Sequence, residues 1–423
     1  MAIDCIDINL DETPEGNTGD WWDSPLGWDR WLTALNSRGD KDLIHICCDA
    51  GRLRDRLTYE NTYQITAFGS SISRIYVMCG NIGSRFESSV SQDSWWFVGS
   101  RPDPMRRQEW EGVNLLEITS DYISIEGIKA KNYADVMEYK SAIQDSALMN
   151  CIFQNANYGA RFRETVTDME IDSIVGKNIT KSLLMFHKNV TNTTISNITS
   201  LNANIEDGEA IGIRFLGGNN QNVKIRDVVI GGQHDHYVGS IPKNPYHDKS
   251  EYAPYTQGEA LAIEGGAGIE IDRFFVFNTT DRLIDCKAQC VIRDSGGSMS
   301  KRGITMWAAD SHAINCVVKS SVGVGNTPAT AYLLFGNNST LEDCSAFMLE
   351  RRFKCTVIVS QAINIKIIRG EYIQPPDYPF IVSGSGNDAV GVTTVELIDV
   401  EINGKKYNRT LTFQDPGSEW VPD

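Results

Sequence analysis

No run of the chain is long and apolar enough to cross a bilayer, so a helical membrane protein is excluded and no membrane insertion is expected. The opening residues, MAIDCIDINLDETPEG, show neither a basic stretch nor an apolar one, and no secretory signal is read in them. A basic stripe is missing too. The formal net charge is −16, and a nucleic-acid partner, which needs cations to meet phosphates, is not expected. Ten cysteines occur without a CxxC pair or a zinc-ligand spacing, so neither a disulfide framework nor a zinc site is read. Free thiols in a chain made in the cytosol are the expectation.

What is present is one short phrase, repeated with different residues between Ala160 and Tyr407. Its first runs are AIGIRF (210–215), ALAIEG (260–265), RLIDCK (282–287), GITMWA (303–308) and AYLLFG (331–336). Its second runs include VKIRDVVI (223–230), IEIDRFFVF (269–277), HAINCVVKS (312–320) and TLEDCSAFM (340–348). A return after roughly 20 to 30 residues signals a solenoid. Period-two alternation makes the units strands rather than helices. The expected fold is all-β, a right-handed parallel β-helix, since parallel connections prefer that hand.

Each unit is too short to bury its own apolar face, and stacking on its neighbours closes the core. Corners such as GGNNQN (217–222), FGNNS (335–339) and SGSGND (383–388) carry the residues that tolerate left-handed backbone. Cys151, Cys316 and Cys344 recur at one place in the phrase, each after Asn or Asp. They read as stacked small hydrophobes, with the preceding residue at an outward corner. Sequons such as Asn178-Ile-Thr180 and Asn197-Ile-Thr199 read as corner and strand residues rather than glycan sites.

Residues 1–41 read as a cap. Asp23-Ser24-Pro25 offers an N-cap, and Trp28, Trp31, Leu32 and Leu35 fall at helical spacing over 24–37. Such a helix would cover the open end of the first coil. The β-helix is expected over 42–403, with insertions near 84–112 and 231–259, and residues 404–423 as a polar tail. The opening Arg38 to Gly51, the strand Ser73 to Gly80, and the phrases LMNCIFQNAN (148–157) and AINCVV resemble the right-handed parallel β-helix proteins of the pectate-lyase-like superfamily. That superfamily includes polysaccharide lyases, glycoside hydrolases, epimerases and bacteriophage tailspikes. The resemblance implies the fold, a glycan or polysaccharide partner, and neighbouring copies or virion subunits as further partners. No compact signature of one lyase or hydrolase family stands in the chain, and fold alone does not give an activity. No coiled coil, collagen-like run or sandwich follows the repeats, although tailspikes often carry such a trimerisation module.

Two interruptions could carry function. The stretch 84–112 holds Trp95, Trp96 and Trp110 with Arg101, Arg106 and Arg107, either a sugar-stacking platform or rings that pack this loop onto the coils. The stretch 231–259 holds His234, His236, Tyr252 and Tyr255, long and decorated where a corner needs few residues. It reads as a substrate-binding loop or as a flap padding the flank.

Alternation sends Arg214, Glu264, Asp285 and Lys287 outward if Ile213, Ile263, Ile284 and Cys286 point in. His187 falls at the corresponding place one coil earlier and Trp307 one coil later. With strands about 4.8 Å apart, these side chains are expected to form one ladder. For a lyase, Arg214 neutralises a sugar carboxylate and Lys287 or His187 takes the proton, with calcium on Glu264 and Asp285 as the metal alternative. For a hydrolase, Glu264 is the acid and Asp285, Asp281 or Glu259 its partner. The bland alternative is a salt-bridge ladder with no chemistry. Two function classes are therefore carried forward: a carbohydrate-binding or polysaccharide-degrading virion component, and a non-catalytic virion protein. A bacterial lyase or epimerase is a third. A virion or extracellular site after cytoplasmic synthesis, and a homo-oligomer, complete the expectations.

Overall fold

The computed structural model describes residues 4–7, 44–47, 63–65, 75–78, 97–99, 112–201, 209–231, 257–277, 279, 281–298, 302–319, 329–348, 353–360, 363–384 and 392–423. The chain divides into two compact units, Met1–Ser200 and Leu201–Asp423. Each is a parallel β-helix, the architecture that the sequence resemblance implies.

In the first unit the coils are nearly continuous strands. Ile143–Phe162 pairs in parallel with Val166–Phe186, from Ile143 opposite Val166 to Phe162 opposite Phe186. A strand of this length turns corners without losing its partner because single residues enter the left-handed region. Asn150 (φ 53°), Asn155 (φ 53°), Ser173 (φ 57°) and Asn178 (φ 55°) do so here. Asn and Asp reach that region at little cost, and each bends the strand while its neighbours stay in the ladder. Inside, Tyr139, Phe162 and Phe186 stack at centroid distances of 4.5 and 4.7 Å, the spacing of adjacent strands. All three are fully buried, and each such side chain contributes roughly 1.5–3 kcal/mol.

In the second unit the inward column runs Ile213, Leu261, Ile284, Ile304, Tyr332, Val357, Ile381. A left-handed corner column, between the second and third runs of each coil, passes through Asp227, Arg273, Asp294, Asn315, Asp343, Arg369 and Asp399, all with φ between 49° and 55°. Acceptors and donors alternate along it. Arg273 donates to Asp227 (2.6 and 2.9 Å), Asn315 to Asp294 (2.5 Å) and Arg369 to Asp343 (2.9 Å twice). The expectation for the cysteines is met. Asn150, Asn315 and Asp343 are left-handed, and the Cys151, Cys316 and Cys344 that follow them are fully buried free thiols. Cys316 and Cys344 lie on adjacent coils.

Two findings differ from expectation. Residues 404–423 are no tail: Lys405–Phe413 returns antiparallel to Thr393–Ile402 across the left-handed pair Asn403-Gly404 (φ 50° and 81°). Asn-Gly flanked by alternating residues is a hairpin signal. Glu419–Trp420 then pairs antiparallel with Ile381–Ser383, setting the Trp420 ring edge-on to Phe380 and Tyr407. A second surprise is a parallel pair between Asp4–Asp7 and Ile44–Cys47. The capping helix expected over 24–37 lies outside the described residues, as does most of the stretch 84–112.

Candidate functional site

In the second unit one outward column is fixed by its backbone. The N–H of Glu264, Lys287, Trp307, Phe335, Ser360 and Gly384 donates in turn to Phe215, Ile263, Cys286, Met306, Leu334 and Val359. These residues therefore occupy one position on successive coils. Lys287 Nζ is paired with Glu264 at 2.5 Å and stands 6.0 Å from the Trp307 ring centroid. Trp307 and Phe335 then stack at 3.9 Å and 7°. Along a single column the surface changes from an ion pair to aromatic rings to small side chains.

Two residues back along the strand, a buried polar network supports this column. Trp307 Nε1 donates to Asp285 Oδ1 at 2.6 Å. Asp285 Oδ2 accepts from Arg282 at 3.0 Å, and the same Arg282 nitrogen reaches Glu259 Oε1 at 2.6 Å. Asp281 lies 3.6 Å from Arg282 and 3.8 Å from Arg302. Glu259 is 4% exposed and Asp285 3%. Burial, reinforced by the Asp285 charge, pushes the Glu259 carboxyl up to about 7, while Arg282 pulls the other way. The Asp285 carboxyl is raised as well, chiefly by burial and against the opposing pull of Arg282. Since both carboxylates bond one guanidinium nitrogen, their bonded oxygens are no farther apart than the sum of those two distances. That bound falls short of the roughly 6.5–9.5 Å that leaves room for a water in inverting glycoside hydrolysis.

The first unit carries a charged face of its own. Arg161 donates to Asp135 (3.0 Å) and, through Nε, to His187 Nε2 (3.2 Å), with its guanidinium 4.4 Å from the Tyr158 ring centroid. Arg163 pairs with Glu138 at 2.5 Å and Lys140 with Glu117 at 2.7 Å. Burial raises the Asp135 carboxyl to about 6, against the pull of Arg161.

The single ladder expected from the sequence is corrected to two columns. Arg214 stands opposite Ala262, and Ala262 opposite Asp285, while Glu264 and Lys287 belong to the next column along with Trp307. His187 holds the equivalent place in the first unit, its N–H donating to Phe162. Of the two bases considered for a lyase, Lys287 is paired with Glu264, and His187 accepts a hydrogen bond from Arg161. Glu264 and Asp285, considered as calcium ligands, are each engaged by a cation and lie in different columns. Among the described residues no group of three His, Cys, Asp or Glu side chains is placed to hold a metal. His234, His236, Tyr252 and Tyr255 lie outside the described residues.

Sequence reasoning missed Arg282, Arg302, Asp135, Arg161 and Phe335. Phe335 was legible: AYLLFG laid on GITMWA puts it under Trp307. Arg282, three residues before Asp285 at the mouth of a strand, was not legible from alternation.

No protein-family model matches the chain, and no curated protein does. Solved structures similar to it include a mannuronic acid specific polysaccharide family 6 lyase from human gut microbiota, at 10% identity, covering 88% of this chain and 81% of that one, with a TM-score of 0.47. The surface protein and adhesin PfbA of Streptococcus pneumoniae matches at 11% identity, with 94% and 100% coverage and a TM-score of 0.47. Pectate lyase Pel9A matches at 12%, with 82% and 78% coverage and a TM-score of 0.39.

Proposed function

We propose that the second unit is a carbohydrate-binding β-helix whose glycan contact is the column from Glu264 to Phe335. The observation that carries this reading is the ring stack itself: Trp307 is held by its indole N–H on buried Asp285, stacks on Phe335, and is flanked by a charged pair. Partly exposed aromatic rings fixed beside titratable groups present what a sugar needs, an apolar ring surface and polar partners near it. A glycan array followed by titration calorimetry of the best binders tests it. Affinity for a pyranose-containing glycan that Trp307→Ala weakens at least tenfold supports the reading, and an array with no binder overturns it.

A second reading, cleavage of the bound glycan, is favoured by one observation: Glu259 and Asp285 share one guanidinium nitrogen and have raised carboxyl pKa values. Glu259, half-protonated near neutrality, is the acid in this reading, and Asp285 the carboxylate partner. Reducing-sugar release that disappears in Glu259→Gln while binding persists supports it; binding without release in the unmodified chain removes it. For the setting we propose a particle surface, as one of several copies, on the strength of the sequence resemblance. Immunolabelling of purified virions and sedimentation of the isolated chain test that setting.

A further inference from the structure

We infer that the ring column of the second unit is completed by its ligand: a pyranose ring seats on the far face of Phe335, at the level of Ser360. This inference rests on the proposed glycan face and names the class of sugar it takes. Trp307 covers one face of Phe335, with ring planes 7° apart. Among the described residues Phe335 stacks on no second ring. The next residues in the same column are Ser360 and Gly384, placed there by the bonds Ser360 N–H to Leu334 and Gly384 N–H to Val359. Among the described residues of the column, the ring stack therefore stops at Phe335, and a short side chain follows it on the next coil.

Three features make this place a seat. Neighbouring coils are about 4.8 Å apart, close to the separation at which a saturated ring lies flat on an aromatic one. A ligand ring resting on Phe335 thus occupies the space that a third aromatic side chain in the column would take. Ser360 at that level is short, and it is only partly buried. Below it, a Cβ at position 384 would lie 2.2 Å from Ser360 Oγ and 2.8 Å from Ser360 Cα, so glycine there lets the two coils pack closely under the serine.

The chemistry of the seat selects its occupant. Phe335 offers a ring face without charge, and the nearest ionic groups of the column, Lys287 and Glu264, lie beyond Trp307 and are paired with each other. A neutral pyranose with one face made of C–H bonds alone, as in β-linked glucose units, matches this surface. A furanose, or a pyranose with an axial hydroxyl on that face, does not.

Titration calorimetry with cellohexaose, laminarihexaose and chitohexaose, and with an inulin-type fructan as the furanose control, tests the seat. The unmodified chain is expected to bind at least one pyranose probe and not the fructan. Phe335→Ala should lose about tenfold in affinity, as the removal of an aromatic contact does. Ser360→Phe, which leaves Phe335 in place and fills the seat with protein, should lose at least as much, while Ser360→Ala stays within about twofold. Matching circular dichroism and thermal midpoints separate these effects from misfolding, and Ser360→Phe keeps the test sharp if Phe335→Ala unfolds. Pyranose binding that survives both Phe335→Ala and Ser360→Phe overturns the seat and leaves the glycan face standing. Tighter binding of the fructan than of every pyranose probe overturns the seat as well. Absence of binding to any probe or array glycan overturns the face and the seat with it.

Discussion

The two β-helical units use the same strand position in opposite ways. In the first, Lys140, Arg163 and His187 occupy it on successive coils, and carboxylates reach Lys140 and Arg163 from the column beside. In the second, the position holds Glu264 and Lys287, then Trp307 and Phe335, then Ser360 and Gly384. The first is a salt-bridge network closed on itself. The second runs from charge to ring to small residues. A coil position is therefore a slot with fixed spacing and direction, and the side chains placed in it decide whether the face seals or receives. The bland reading of the outward residues, a ladder that only relieves repulsion, fits the first unit well and the second poorly.

The largest effect should come from removing the cation at the centre of either network. Arg282→Ala leaves Glu259, Asp281 and Asp285 buried together and is expected to cost about 3 kcal/mol at pH 8, read by urea unfolding. Arg161→Ala in the first unit should cost a comparable amount, since Asp135 is buried to a similar degree. Lys287→Ala, by contrast, breaks a pair of half-exposed groups and should change stability by less than about 1 kcal/mol. If Lys287→Ala proves as costly as Arg282→Ala, the distinction between buried network and open contact column fails.

Next in size is a pH effect with a definite sign. The folded Glu259 carboxyl titrates at about 7 against 4.5 for an ordinary one, and Asp135 at about 6 against 3.8. Between the unfolded and folded values the folded chain holds more protons than the unfolded one, so stability falls as pH rises. The contribution of Glu259 is thus complete below about pH 4.5 and gone above about pH 7. Glu259→Gln should flatten the stability profile up to about pH 7, and Asp135→Asn only up to about pH 6. A Glu259→Gln profile parallel to that of the unmodified chain would contradict the buried, shifted carboxyl.

The smallest expected effect concerns the thiols. Cys151, Cys286, Cys290, Cys316, Cys344 and Cys355 are buried and free. Adding reductant should therefore leave the unfolding midpoint unchanged. Alkylation of the unfolded, unreduced chain, read by mass, should modify all six. Pairs protected from alkylation would show disulfides that the fold does not require.

The sequence displayed the fold through two independent signals, alternation within phrases and the recurrence of Asn or Asp just before a buried cysteine. Each is a local consequence of coil geometry, so each survives without an alignment. The candidate site was less legible, because neighbours across coils depend on register. With AIGIRF aligned letter for letter on ALAIEG, Arg214 falls beside Glu264; in the structure Ile213 faces Leu261 and Arg214 faces Ala262. A slip of two residues keeps every side chain on its proper face and changes only its neighbour, so hydrophobic patterning cannot detect it. Arg282 escaped for another reason. Leu283 and Ile284 are both fully buried, so alternation breaks at the strand mouth, and parity counted from the strand centre misplaces the residue before them.

The contrast between a sealed face and a receiving one is tested most directly by hydrogen–deuterium exchange with and without a bound glycan from the array. The account predicts slower exchange over 303–307 and 331–335 and no change over 158–163 and 185–187. Protection over 158–163 and 185–187, with none at Trp307 and Phe335, would contradict it.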